Sequence, residues 1–142
     1  MSYETMNPSR VHEILAEGQD WQFLDVRTVE EFQLGHVPGA FNVPVFLREA
    51  HGMVPNPRFV ELVQKTFSAD AKLVLGCAAG MRSARACDML DRAGYSQLVN
   101  MAGGFSGATD PAGAVVEPGW QSCGLPVEAQ SQDGRDYASL VK

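Results

Sequence analysis

The sequence predicts an α/β domain, a mostly parallel five-stranded sheet flanked by helices. Three observations predict it. Through the first hundred residues, strand-like apolar segments alternate with amphipathic helical ones, the order that builds βαβ units. Leu73, Val74 and Leu75 follow one another, as in a parallel strand covered on both faces. The chain has 142 residues, 45% apolar and 20% charged, which suits one self-sufficient core and argues against disorder.

Each element has a local reason. Tyr3–Met6 reads as a short edge strand. Asn7-Pro8 supplies an N-cap and a first helical residue, and Val11, Ile14 and Leu15 form an apolar stripe that ends at Gly18. Trp21–Val26 is apolar and β-favouring. Thr28 and Glu31 fit a capping box and open a short helix ending at Gly35. Gly35-His-Val-Pro-Gly39 is turn chemistry, followed by a brief strand over Ala40–Val43. Asn56-Pro57 opens a helix that buries Phe59, Leu62, Val63 and Phe67. Lys72–Gly76 is the central strand, Ser83–Ala93 a helix with Gly94 just past its end, and Gln97–Met101 the last strand, stopped by Gly103-Gly104. Residues 105–119 read as loop or hairpin. The domain spans 1–128, and a polar tail, 129–142, follows it as either a disordered or a docking segment.

Charge and cysteine usage narrow the function. Seventeen acidic against eleven basic side chains give a net charge of −6, which disfavours nucleic acid and anionic membranes as partners. No stretch approaches the ~20 apolar residues that span a bilayer, and residues 1–20 lack a signal pattern. Three cysteines are too few for a disulfide framework and point to a reducing compartment, the cytoplasm, with an organelle after transit-peptide removal equally compatible.

The chemistry is expected where the central strand runs through a short loop into a helix, at Cys77-Ala78-Ala79-Gly80-Met81-Arg82-Ser83. Ligands bind outside the carboxyl ends of strands in such sheets, and a helix N-terminus favours negative charge. A thiolate is such a charge, and it is the nucleophilic form of cysteine. Gly80 can adopt positive φ and curl the loop amides into an anion-holding nest, and Arg82 adds a cation. The competing reading makes Cys77 a small buried residue at a strand end; the fixed offsets of Gly80, Arg82 and the helix start favour the functional one. Four residues separate Cys77 from Arg82, one fewer than in cysteine phosphatases, so the cradle suits one atom on Cys77 rather than a phosphate. Asp25 and Arg27 reach the same sheet edge as support. Arg48 follows the strand ending near Val45 and faces either the rim or solvent. His36, in its turn, reads as a packed structural histidine, and Cys87 as core. Cys123 sits in a loop. No metal site is expected.

Several motifs in order, Leu24-Asp-Val-Arg-Thr28, Gly35-His-Val-Pro-Gly-Ala40, Asn42-Val-Pro44, Cys77-x-x-Gly80-x-Arg82-Ser83, Gly103-Gly104 and Gly124-Leu-Pro126, resemble those of single-domain rhodaneses, the thiosulfate sulfurtransferases. The resemblance implies a three-layer fold and covalent catalysis without metal or organic cofactor. Cys77 takes a sulfane sulfur from thiosulfate or another donor and passes it to cyanide in an assay, or to a thiol such as glutathione or thioredoxin. It also implies that Asp25 helps hold the loop and that Arg27 pairs with Glu31. Three alternatives stay open: a persulfide carrier loaded by another enzyme, a non-catalytic docking module, and a phosphatase of related fold. One departure stands out. Family members place a Trp a few residues after the Gly-Gly pair, whereas Trp120 comes about a dozen residues late, and the intervening segment is expected to roof part of the site.

Overall fold

The computed structural model describes residues 3–130 and 134–142. Five parallel strands form the central sheet: β1 (Tyr3–Met6), β2 (Trp21–Asp25), β3 (Phe41–Asn42), β6 (Lys72–Gly76) and β7 (Gln97–Met101), in the order β1-β7-β6-β2-β3. The register pairs Trp21 with Lys72 and Asp25 with Gly76, so β2 and β6 end together at their carboxyl edge.

Side chains alternate across β6. Leu73 and Leu75 face α3 (Phe59–Thr66) and α4 (Met81–Arg92), packing with Phe59, Leu62, Ala86 and Leu90. Val74 faces α1 (Pro8–Ala16) and α2 (Val29–Leu34), packing with Val11, Ile14 and Phe32. Each fully buried aliphatic side chain contributes about 1.5–3 kcal/mol of transfer free energy, so this doubly covered strand anchors the loop that follows it. The expected caps are present: Asn7 accepts from the Arg10 amide, and Thr28 and Glu31 complete a reciprocal capping box.

The structure departs from the sequence expectations in several elements, among them α3, which begins at Phe59 with Arg58 as its N-cap and not at Asn56-Pro57. A hairpin, β4 (Phe46–Glu49) with β5 (Gly52–Pro55), lies outside the sheet where no strand was predicted. The strand expected over Ala40–Val43 pairs only through Phe41 and Asn42. The helix expected at Ser83 begins two residues earlier, at Met81.

Residues 105–119 contain a second hairpin, β8 (Ala108–Thr109) with β9 (Val115–Glu117), its tip held by Asp110, whose carboxylate accepts from the Ala112 and Ala114 amides. The delay in Trp120 is thereby absorbed. Trp120 is buried, donates from Nε1 to Pro126 O at 2.6 Å, and packs beside Phe23 and His12.

Of the C-terminal tail, residues 131–133 lie outside the described residues. Beyond them the chain lies against the domain. Arg135 O accepts from the Asn42 amide at 2.9 Å along the free edge of β3. A short helix, α5 (Tyr137–Leu140), brings Tyr137 and Leu140 onto the α3/α4 side of the core.

Candidate active site

Cys77 leaves β6 one residue past its last paired position and shares a face with Leu73 and Leu75, so its side chain turns toward the start of α4. The residue is 2% exposed. Its Sγ accepts from the Gly80 amide at 3.0 Å and lies 3.5 Å from Ser83 Oγ. The turn is possible because Gly80 takes φ +105° as the residue before the first helical turn. The predicted six-residue loop is therefore four residues, Cys77–Gly80; Met81, Arg82 and Ser83 form the first turn of α4. Ala79 and Met81 are exposed, Ala78 and Arg82 partly so, and Ser83 is buried.

A second segment braces the loop from below. Phe105 donates to Cys77 O at 2.7 Å and Ser106 to Ala78 O at 2.8 Å. Gly104 makes this approach possible. It sits at φ +60°, and a Cβ there would come within 2.2 Å of Cys77 O and 2.7 Å of the Ala78 carbonyl carbon. The Gly103-Gly104 pair thus does more than stop a strand; it lets two backbones touch. Among the described residues, the hydrogen bonds from 105–119 to the loop come from Phe105 and Ser106, at the start of the segment. Val115 and Val116, on the hairpin expected to roof the site, are exposed.

The cations are arranged differently from expectation. Arg82 does not stand free in the loop: its guanidinium makes a two-pronged ion pair with Glu31, NH1 to Oε1 at 2.8 Å and NH2 to Oε2 at 3.0 Å. Burial pushes the Glu31 carboxyl up, but the Arg82 fork and the Thr28 amide outweigh it and bring it down to about 2. The same pairing raises the Arg82 pKa. Arg27 is therefore not the partner of Glu31. It is buried, bound through Nε and NH2 to both Asp25 carboxylate oxygens, donating also to Gly35 O at 2.6 Å and lying 4.4 Å from the Phe105 ring centre. Asp25 holds Arg27, and Arg27 holds the end of α2 and the ring of Phe105, whose amide braces the loop.

Arg48 lies exposed on the first hairpin, opposite Met53. It borders a cleft of about 180 Å³ with Thr28, Glu30 and Phe46. A second cleft, about 230 Å³, lies on the other flank between Glu31, Gly35, Phe105 and Gln121. Neither is lined by Cys77. His36 is fully buried, stacked 3.7 Å from Phe32, with Nδ1 on Phe32 O and Nε2 on Glu128. Cys87 is buried in the core, and burial pushes its thiol up to about 12. Cys123 is exposed.

Sequence reasoning missed Asn100. It is 6% exposed on β7, on the side facing α4, and its Oδ1 accepts from Ser83 Oγ at 2.5 Å. A polar residue between Val99 and Met101 in a buried strand was the available signal.

The fold and this arrangement define a class: a three-layer α/β protein that carries one cysteine at a strand end, its sulfur turned to an amide where a helix begins. Comparison with known proteins agrees. The rhodanese-like domain family matches residues 7–110. The chain is 37% identical over 134 residues, 91% of this chain and 100% of the other, to thiosulfate sulfurtransferase 16, chloroplastic, of Arabidopsis thaliana. It is 35% identical over 103 residues to that plant's thiosulfate sulfurtransferase 18, covering 71% of this chain and 74% of the other. Other relatives are longer, the chain spanning 57% of one and 65% of another. A crystal structure of M. tuberculosis Rv0390 superposes with a TM-score of 0.74 at 23% identity, over 88% of this chain and 96% of that one, a likeness of fold. This chain belongs to the rhodanese family.

Proposed function

We propose that the protein is a sulfurtransferase that moves a sulfane sulfur from thiosulfate to a thiol acceptor through a persulfide on Cys77. The observation that carries this is the Gly80 amide aimed at Cys77 Sγ from 3.0 Å at the point where α4 begins. A backbone donor and a helix N-terminus together favour a thiolate, and neither needs to move for the sulfur to react.

In the first step the Cys77 thiolate attacks the outer sulfur of thiosulfate. The S–S bond breaks, sulfite leaves with its electron pair, and a Cys77 persulfide with a terminal anionic sulfur remains. In the second, an acceptor thiolate such as glutathione or thioredoxin attacks that terminal sulfur and releases Cys77 thiolate; cyanide serves in an assay. One transfer becomes two displacements. Ala78 and Ala79, with their small side chains, leave the loop's outer surface open to the donor. A reducing compartment, cytoplasm or organelle interior, keeps the thiol available.

Mass spectrometry after exposure to thiosulfate tests the reading. One sulfur on the nucleophile adds about 32 Da, removed by cyanide or glutathione and absent in Cys77→Ser. No gain in the native chain, or a gain that persists in Cys77→Ser, overturns it.

A further inference from the structure

We infer that Asn100 is a positioning residue for the nucleophile: through Ser83 it decides where a single hydroxyl proton points, and so how readily Cys77 ionises. The inference deepens the proposed function and rests on Cys77 being the reacting group.

The Ser83 hydroxyl is fully buried and has three neighbours that want its proton. Asn100 Oδ1 is 2.5 Å away, Gly80 O 3.2 Å and Cys77 Sγ 3.5 Å. A hydroxyl has one proton to give, and the shortest bond takes it. The amide is oriented for this role, because Asn100 Nδ2 lies 3.5 Å from Gly80 O and the reversed amide would set two carbonyl oxygens against each other. With its proton on Asn100, Ser83 turns lone pairs toward Cys77, an arrangement that suits S–H and not S⁻. For the thiolate to gain a second donor beside the Gly80 amide, the hydroxyl must rotate away from Asn100. Asn100 and the thiolate therefore compete for the same proton.

Position explains the pairing. Asn100 and Leu98 share the face of β7 toward α4, and Cys77 and Leu75 share the same face of the neighbouring strand β6. Ser83 in the first turn of α4 comes down between them. Arg82 on α4 acts on Cys77 and is itself acted on by its partner Glu31 on α2 and by Asp25 on β2, which is paired in turn with Arg27; Cys87, further along α4, is held as a thiol. Neither Asn100 nor Ser83 carries charge, so replacing them leaves that field in place.

The signs expected of the two replacements are opposite, which separates this role from simple support. Asn100→Leu keeps the volume and removes the acceptor; the freed hydroxyl turns to the sulfur, Cys77 alkylates faster at neutral pH, and its pH–rate profile moves down by about half a unit to one unit, the range of one hydrogen bond. Ionisation draws the native hydroxyl from Asn100 to the sulfur at a cost, so Ser83→Ala, which removes that donor, moves the profile up. Asn100 also reaches Gly80 O at 3.5 Å, and the double variant separates the two routes: action through Ser83 makes it match Ser83→Ala alone. The experiment is iodoacetamide alkylation of the full chain between pH 6 and pH 10, followed at the Cys77 peptide, with Cys123 as the internal reference. Asn100→Ala gives the same direction as Asn100→Leu should the latter fail to fold, and Ser83→Ala, which removes one oxygen, carries the test alone if both do. A profile unmoved in Ser83→Ala, a slower Cys77 in Asn100→Leu, or an acceleration that survives in the double variant overturns the inference. Alkylation needs no sulfur donor, so this result is separate from the thiosulfate test: a chain that alkylates as expected and fails to take up sulfur counts against the proposed function alone.

Discussion

Replacing Glu31 by Gln removes one charge and one prong of the fork, which makes the Glu31–Arg82 pair the best place to measure what fixes the start of α4. Arg82 stands in the first turn of α4, where a cation opposes the helix dipole, and Glu31 stands in the first turn of α2, where an anion is favoured. The fork between them offsets the first and ties the two helix starts together. A carboxyl brought from 4.5 to about 2 corresponds to about 3 kcal/mol of preference for the charged form. Arg82 and Glu31 side chains are 21% and 33% exposed, so water and salt screen the pair, and about 1–2 kcal/mol is the share expected in folding. Gln keeps an oxygen for the Thr28 amide, so the cap survives, while its amide nitrogen takes the place of the Oε2 that accepts from Arg82 and one prong of the fork goes with the charge.

The pH dependence has a fixed sign. Because the folded state holds the Glu31 carboxyl below its ordinary value, its contribution is present above pH 4.5, declines as pH falls toward about 2, and is gone below that. Urea unfolding of the native chain and Glu31→Gln at pH 7, 5, 3.5 and 2 reads the difference directly. A gap of about 1–2 kcal/mol at pH 7 that closes by pH 2 is the expected result. A gap that stays constant with pH, or none at pH 7, refutes the reasoning.

Two further outcomes follow from the same geometry. Gly104→Ala places a methyl against Cys77 O and requires the brace to withdraw, losing the Phe105 and Ser106 hydrogen bonds and adding the cost of a left-handed Ala; about 3 kcal/mol is lost in urea unfolding, and a cost under about 0.5 kcal/mol refutes the close approach. Cys87, buried and pushed up to about 12, stays unlabelled by iodoacetamide at pH 8 in folded Cys77→Ser, so intact-mass analysis finds one label native, on Cys123, and two in denaturant; two in the native state places Cys87 at the surface.

Much of the fold was legible because its signals are local. The Asn7 and Thr28 caps, the run Leu73–Leu75 and the stripe Phe59, Leu62, Val63 each need only neighbouring residues, and each element formed where they pointed. The hairpin Phe46–Pro55 was not legible, since it pairs outside the sheet with exposed residues from Arg48 onward and no alternating apolar face marks it. The positive φ of Gly80 inside the loop was readable from its conformational freedom. The early start of α4 was not, because Met81 and Arg82 carry no cap signal and the helix opens directly from a left-handed glycine.

The ion pairs fail to follow sequence spacing for a physical reason. Arg27 and Glu31 are four residues apart, a spacing worth about 0.3–0.5 kcal/mol when both partners lie on an exposed helix face. Arg27 lies instead before the Thr28 cap and is 4% exposed. A guanidinium so deeply placed must satisfy its donors inside the protein, and a carboxylate one-third exposed to solvent satisfies them poorly. Asp25, two residues back and equally buried, takes Nε and NH2 together, and Gly35 O takes a further bond. Glu31 is then left facing outward over the N-terminus of α4, where Arg82 needs an anion. Burial sorts these four charges into two pairs. The buried one fixes the strand end to α2, and the half-exposed one fixes α2 to α4, so the sulfur of Cys77 is framed by contacts that no spacing rule along the chain connects.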